Sequence, residues 1–187
     1  MALTHTPTPE LGEACPDFNL PGTDGRNHSR QELSGAKAAL VMFICNHCPY
    51  VIAVEDRLVE LARSLSGQPV KIVAISANDA VKYPADSFEN MCKKSTEKIY
   101  PFPYLFDESQ AVAKAFGAVC TPDFFLYDSN LKLSYRGRLD DSWKDASVVT
   151  SQELKSAIEA LLSGALPSPL QKSSMGCSIK WKPENLS

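Results

Sequence analysis

Ala38-Ala39-Leu40-Val41-Met42-Phe43-Ile44-Cys45-Asn46-His47-Cys48-Pro49-Tyr50-Val51 runs from a continuous apolar segment into two cysteines three positions apart. Ala38 to Ile44 carries no polar side chain, as expected of a strand buried on both faces of a parallel sheet. From Val51 the period changes. Val51, Leu58, Leu61 and Leu65 recur at helical spacing, with Glu55, Asp56, Arg57 and Glu60 among the remaining positions. A second apolar run, Val70-Lys71-Ile72-Val73-Ala74-Ile75, completes a strand–helix–strand unit, and its crossover is expected to be right-handed.

Downstream, the pattern predicts a helix over 85–99 with Phe88, Met91 and Cys92 on one face. Tyr104-Leu105-Phe106 and a short helix from Ser109 to Phe116 lead to Asp123-Phe124-Phe125-Leu126-Tyr127. The polar turn Asp128-Ser129-Asn130 joins that strand to Leu131–Arg136 as an antiparallel hairpin. A last helix carries Leu154, Ile158, Leu161 and Leu162 and stops before Pro167 and Pro169. The expectation is one α/β domain over 1–187, a central mixed sheet flanked by helices. Its core spans about 12–165, and a tail over 166–187 packs back through Met175, Ile179 and Trp181.

With 19 Lys and Arg against 22 Asp and Glu, the 187-residue chain carries a net charge of −3. A hydrophobic fraction of 44% with 22% charged residues excludes disordered and fibrous classes. The apolar run at 38–44 falls well short of the roughly 20 residues a bilayer needs. An acidic chain has no general attraction for phosphate backbones, so neither nucleic acid nor membrane is an expected partner. Residues 1–10 have neither a basic nor an apolar leader segment, which suggests the cytoplasm. In that setting six cysteines read as redox, metal-binding or buried thiols rather than a disulfide framework.

Cys45 and Cys48 are expected in the first turn of the helix, near enough to form a small-ring disulfide. A helix N-terminus favours thiolate over thiol. Cys45, the earlier of the two, is expected to be the nucleophile, and Cys48, one turn in and more buried, the resolving thiol. Pro49 costs no helical hydrogen bond there. His47, if protonated, would stabilise a thiolate; a solvated loop histidine is the plainer reading. Thr121-Pro122, placed before a strand in a chain with an earlier C-x-x-C, suggests a cis bond beside the dithiol.

The order strand, C-x-x-C helix, strand, helix, Thr-Pro, hairpin and final helix resembles the thioredoxin fold. Gly12-Glu13-Ala14-Cys15-Pro16-Asp17-Phe18-Asn19-Leu20 followed by Asp24-Gly25 resembles the opening of the alkyl-hydroperoxide reductase/thiol-specific antioxidant branch. Cys45-Asn46-His47-Cys48-Pro49-Tyr50-Val51, Cys120-Thr121-Pro122-Asp123-Phe124-Phe125-Leu126 and Gly176-Cys177-Ser178-Ile179-Lys180-Trp181-Lys182 are similar to the peroxiredoxin-like thioredoxin-family proteins. The resemblance implies a thioredoxin fold with an N-terminal β extension, and a dithiol at Cys45 and Cys48 facing a cis Pro122.

The function expected is thiol–disulfide exchange, with no cofactor and no metal. The substrate would be a disulfide-containing protein or small thiol, recycled by a thiol reductant. Peroxidase chemistry is the alternative, but peroxiredoxins place Thr or Ser three residues before the reactive cysteine. Here those positions hold Cys45 or Met42. A second alternative is metal binding or redox sensing, with zinc held by Cys45, Cys48, Cys120 and Cys177. The three histidines, His5, His28 and His47, lack helical metal spacing. Arg136 and Arg138 are expected as exposed strand residues, and Asp86, Glu89, Asp107 and Glu108 as solvated charges. Cys92 is expected to be buried and inert; Cys15 has no assignable role. Cys120 and Cys177 are expected to meet as an auxiliary pair once the tail folds back.

Overall fold

A computed structural model describes residues 3–186; Met1, Ala2 and Ser187, the ends of the expected 1–187 domain, lie outside the described residues. The chain opens with β1 (Leu3–His5), then an antiparallel hairpin of β2 (Asn19–Pro21) and β3 (Asn27–Ser29). The apolar run forms β4 (Ala38–Phe43), followed by α1 (Pro49–Ser64) and β5 (Val70–Ser76). Next come α2 (Phe88–Glu97), β6 (Tyr104–Phe106), α3 (Ala111–Ala115) and the two-residue β7 (Cys120–Thr121). The chain finishes with β8 (Asp123–Asp128), β9 (Leu133–Gly137), α4 (Glu153–Ser163) and β10 (Met175–Ser178).

The main sheet has the order β6-β5-β4-β8-β9. β4 pairs parallel with β5, and β5 with β6, while β8 runs antiparallel to β4 and to β9. The mixed sheet expected from two apolar runs and a hairpin is therefore the one observed. Because side chains alternate across a strand, β4 feeds two cores. Ala38, Leu40 and Met42 meet Val54 and Leu58 of α1 and Leu154 and Ile158 of α4. Ala39, Val41 and Phe43 meet Ala113, Phe116, Phe125 and Tyr127. Burying each large apolar side chain contributes roughly 1.5–3 kcal/mol, which makes this central strand the anchor of everything attached to its ends.

The element boundaries differ from expectation for local reasons. Pro84–Asp86 is a separate 3-10 turn, and α2 begins only after Ser87, whose hydroxyl accepts the Asn90 N–H at 3.3 Å. The hairpin turn extends past Leu131, which has φ +54°. The Asp128 carboxylate accepts the N–H groups of Asn130 and Lys132, delaying β9 to Leu133.

The tail does fold back. β10 lies between β1 and β7 in a three-stranded antiparallel sheet, with Leu3 opposite Cys177 and Cys177 opposite Thr121. Two buried amides fasten the chain that follows it. Asn78 accepts the Lys180 N–H at 2.8 Å, and Gln110 donates to the Lys180 carbonyl at 2.9 Å while accepting the Lys182 N–H at 2.8 Å. Among the described residues, no helix is long and apolar enough to cross a membrane.

Candidate functional site

The C-terminal end of β4 delivers the cysteine loop. Ile44 still donates to the Ile75 carbonyl, and the chain then turns through Cys45, Asn46 and His47 into α1. The helix starts later than expected: Pro49 is its first residue and Cys48 its N-cap, so Cys45 lies in the loop, outside the first turn. This reverses the positional premise for Cys45, because the residue nearest the positive end of α1 is Cys48. Burial does not separate the two thiols, which are 2% and 0% exposed.

Thr121 touches both. Its hydroxyl lies 3.3 Å from Cys45 Sγ, and its carbonyl oxygen accepts the Cys48 thiol at 3.1 Å. The Thr121-Pro122 peptide is cis, as expected, and stands beside the pair. Cys45 and Cys48 meet at Thr121, and their mutual interaction holds the Cys48 thiol well below its ordinary value and pushes Cys45 well above it. Burial opposes the lowering at Cys48, and the Thr121 carbonyl also favours its protonated form. Thr121 and the N–H groups of Val51 and Cys177 act the other way, and the donors prevail. Cys45 is raised further by burial and by the nearby Asp86 carboxylate.

Asp86, expected to be solvated, is fully buried and organises the loop. It accepts the Asn46 N–H at 2.8 Å and the Asn78 amide at 2.7 Å, and meets His47 Nδ1 at 2.6 Å. A buried carboxylate is costly unless such donors face it, and the turning backbone supplies them here. The Asn46 side chain donates to the Ala85 carbonyl and accepts from the Tyr104 hydroxyl, and Lys94 donates to the Asn46 carbonyl. The His47 ring stacks on Tyr83 with 4° between planes, and Lys180 stands over the other ring. His47 is thus a held residue and not a solvated one.

Other expectations are corrected by burial. Asp107 is buried and accepts the Ala113 N–H at the start of α3, whereas Glu89 remains exposed. Arg136 is buried, pairs with Asp123 at 2.8 Å and lies over the Phe125 ring. Arg138 is partly buried against Glu153. Cys92 is only half-buried. His28 is buried between the carboxylates of Asp24 and Glu32.

No disulfide joins any two of the six cysteines. Cys177 reaches the site: it belongs to the core cluster of Cys45 and Cys48, to which Cys120 does not belong. Register explains the correction: Cys120 lies opposite Ser178, so it projects to the face of the β7–β10 ladder opposite Cys177. Cys120 is buried near the Pro122 carbonyl, and burial pushes its thiol up. The four thiols do not converge on one ion. Among the described residues, the side chains close enough to hold a metal are Cys45, His47 and Asp86, with ligand atoms within 4.8 Å of one another. Asn78 escapes sequence reading, and Asp86 is read there as a solvated charge, because the groups that meet them come from other elements.

The AhpC/TSA family model matches residues 11–136. Among solved structures, an uncharacterized conserved protein from Geobacillus kaustophilus is 45% identical, with a TM-score of 0.92 over 98% of each chain. A hypothetical protein from Sinorhizobium meliloti is 40% identical, with a TM-score of 0.92 over 96% of this chain and 99% of that one. The thioredoxin domain of a thiol-disulfide oxidoreductase from Bacteroides vulgatus is 17% identical, with a TM-score of 0.57 over 67% of this chain and 86% of that one, a likeness of fold. No curated protein matches the chain. The thioredoxin-like fold expected from the order of elements is thereby established.

Proposed function

The chain belongs to the AhpC/TSA family, and from that premise we propose that it is a thiol–disulfide oxidoreductase whose dithiol is Cys45 and Cys48. The observation that carries this reading is the pair of sulfurs brought together on Thr121, with Cys48 at the N-cap of α1 and its thiol held low. Cys48 thiolate attacks one sulfur of a substrate disulfide, forming a mixed disulfide and expelling the other sulfur as thiolate. Cys45 then loses its proton to the departing thiolate and attacks Cys48 sulfur. The products are the Cys45–Cys48 disulfide and a second substrate thiol. Thr121 positions both sulfurs, and His47 with Asp86 fixes the loop that carries Cys45. A thiol reductant reverses the steps on the enzyme. The reading assigns the protein to a compartment that keeps thiols reduced, the cytoplasm.

The test is turnover of a small disulfide with a thiol reductant. Cys48→Ser should abolish it, and retention of turnover would overturn the assignment. The midpoint potential then fixes the direction, since reducing members of this chemistry lie near about −270 mV and strong oxidants near about −120 mV. Stabilising the Cys48 thiolate stabilises the reduced form, so a value on the oxidising side of the former is expected. A second reading, thiol-dependent peroxidase, is favoured by one contact: the Thr121 hydroxyl at Cys45 supplies a polar group that the loop sequence lacks.

A further inference from the structure

Cys48 has a second thiol against it. Cys177 belongs to the same core cluster as Cys48, its backbone N–H faces the Cys48 sulfur, and the two thiols are close enough to shift each other's ionisation. We infer that Cys177 is a third redox thiol of this site, able to resolve a mixed disulfide at Cys48 by forming a Cys48–Cys177 disulfide. The inference rests on the proposed function, in which Cys48 is the attacking thiol.

Four observations carry it. Cys177 lies directly opposite Thr121 in the β10–β7 ladder, and Thr121 is the residue that contacts both Cys45 and Cys48. Cys177 is 4% exposed and belongs to the same core cluster as the other two thiols. The residue before it is Gly176, where an added Cβ would stand 2.0 Å from the Thr121 carbonyl oxygen and 2.6 Å from its carbon. A residue without a side chain lets β10 press onto that peptide, and the next sulfur then meets Cys48. Finally, the Asn78 and Gln110 amides fix the chain at Lys180 and Lys182, so the position of β10 is built rather than incidental.

Charge distinguishes the two resolving thiols. While Cys48 is ionised it burdens both neighbours, and burial together with the adjacent Cys48 thiol pushes Cys177 up to about 11. Once Cys48 carries a substrate sulfur, that burden ends. Cys45 still faces the Asp86 carboxylate, whereas Cys177 has the Lys180 ammonium nearby to ease its ionisation. With oxidised glutathione as substrate, Cys48 thiolate takes one glutathionyl sulfur and releases one glutathione thiolate. Cys177 then gives its proton to that glutathione thiolate, bonds to Cys48 sulfur and releases the second glutathione as thiolate. Two electrons pass from the Cys48–Cys177 pair to the glutathione disulfide.

The experiment treats Cys45→Ser protein with oxidised glutathione, blocks remaining thiols, and maps tryptic peptides without reduction. Cleavage at Lys37, Arg57, Lys172 and Lys180 places Cys48 in peptide 38–57 and Cys177 in peptide 173–180. The expected result is a cross-link between those two peptides in most chains. Glutathione persisting on Cys48 with no cross-link, or Cys177 bridged to Cys120, overturns the inference. Should Cys45→Ser fail to fold, the unsubstituted protein decides: the same cross-link should form at limiting oxidant, and its absence overturns the inference equally. Oxidation within peptide 38–57 of the unsubstituted protein reports Cys45–Cys48 separately. If that bond forms without the cross-link, only the role of Cys177 falls. If Cys48 never exchanges with the oxidant, both readings fall.

Discussion

The His47 ring meets the Asp86 carboxylate at 2.6 Å, joining the loop after β4 to the turn before α2. Asp86 has no exposure to solvent, and its carboxylate is met by the His47 ring, the Asn46 N–H and the Asn78 amide. That arrangement holds the cysteine loop and also places a negative charge near Cys45.

Asp86→Asn tests both consequences. Exchanging a carboxylate for an amide leaves a donor facing either the Asn46 N–H or the Asn78 amide, and a buried polar mismatch of this kind costs about 1–3 kcal/mol. Chemical denaturation should show that loss. Removing the charge also removes a cause that raises Cys45. In the Cys48→Ser background, where one site thiol titrates, Asp86→Asn should therefore speed alkylation of Cys45 at neutral pH. Unchanged alkylation would show that Asp86 acts on geometry alone.

The Cys48 thiol links stability to pH. Its ordinary value is 9.0, and the fold lowers it through the adjacent Cys45 thiol first. Between the folded and unfolded values the unfolded chain holds the extra proton, so stability rises with pH across that interval. The contribution is complete above about 9 and lost as pH falls through the folded value. Cys45 has the opposite sign, its raised value giving stability that is lost at higher pH. Reduced wild-type protein should thus gain stability from mildly acidic to neutral pH more steeply than Cys48→Ser. Parallel profiles from denaturant titrations would refute the lowered thiol.

Much of the architecture is legible in the chain because its signals are local. The run Ala38–Ile44 and the hairpin at Asp128 each carry their own pattern, and both stand in the fold as strand and turn. The site is less legible because its decisive contacts are long-range. Asp86 meets His47 across the sheet edge, and Arg136 turns inward only because Asp123 waits on β8. An isolated charge in a polar stretch looks solvated until a partner from another element is known. The expected meeting of Cys177 with Cys120 fails because a one-residue difference in register decides which face each sulfur takes. The same one-turn precision misplaced Cys45 in the helix.

Peroxide should oxidise the pair slowly. The position three residues before Cys48 is Cys45, so the loop offers a thiol where a hydroxyl would polarise the peroxide. The Thr121 hydroxyl stands at Cys45, whose raised thiol keeps the nucleophile protonated, while Cys48 faces the Thr121 carbonyl. The guanidinium of Arg136 is committed to Asp123. Stopped-flow oxidation should therefore resemble that of a generic buried thiolate. A rate comparable with dedicated peroxidases would promote the peroxidase reading.

Gly176→Ala should open the site. The new methyl would stand 2.0 Å from the Thr121 carbonyl oxygen and 3.1 Å from Pro122 nitrogen, both backbone atoms that cannot swing aside. β10 must move outward, at a cost of about 1–3 kcal/mol by analogy with overpacked cores. Because β10 carries Cys177 and covers Thr121, its displacement should expose Cys45 and Cys48 and speed their alkylation several-fold. General instability would also raise reactivity, so a matched control is needed. Gly67 lies in an exposed turn at φ +80° with no atom near an added Cβ. Gly67→Ala strains the backbone there, lowering stability by roughly 1–2 kcal/mol without touching β10. If both variants accelerate alkylation in proportion to their loss of stability, the opening is global. Acceleration by Gly176→Ala beyond that proportion locates the cover of the dithiol in β10 itself.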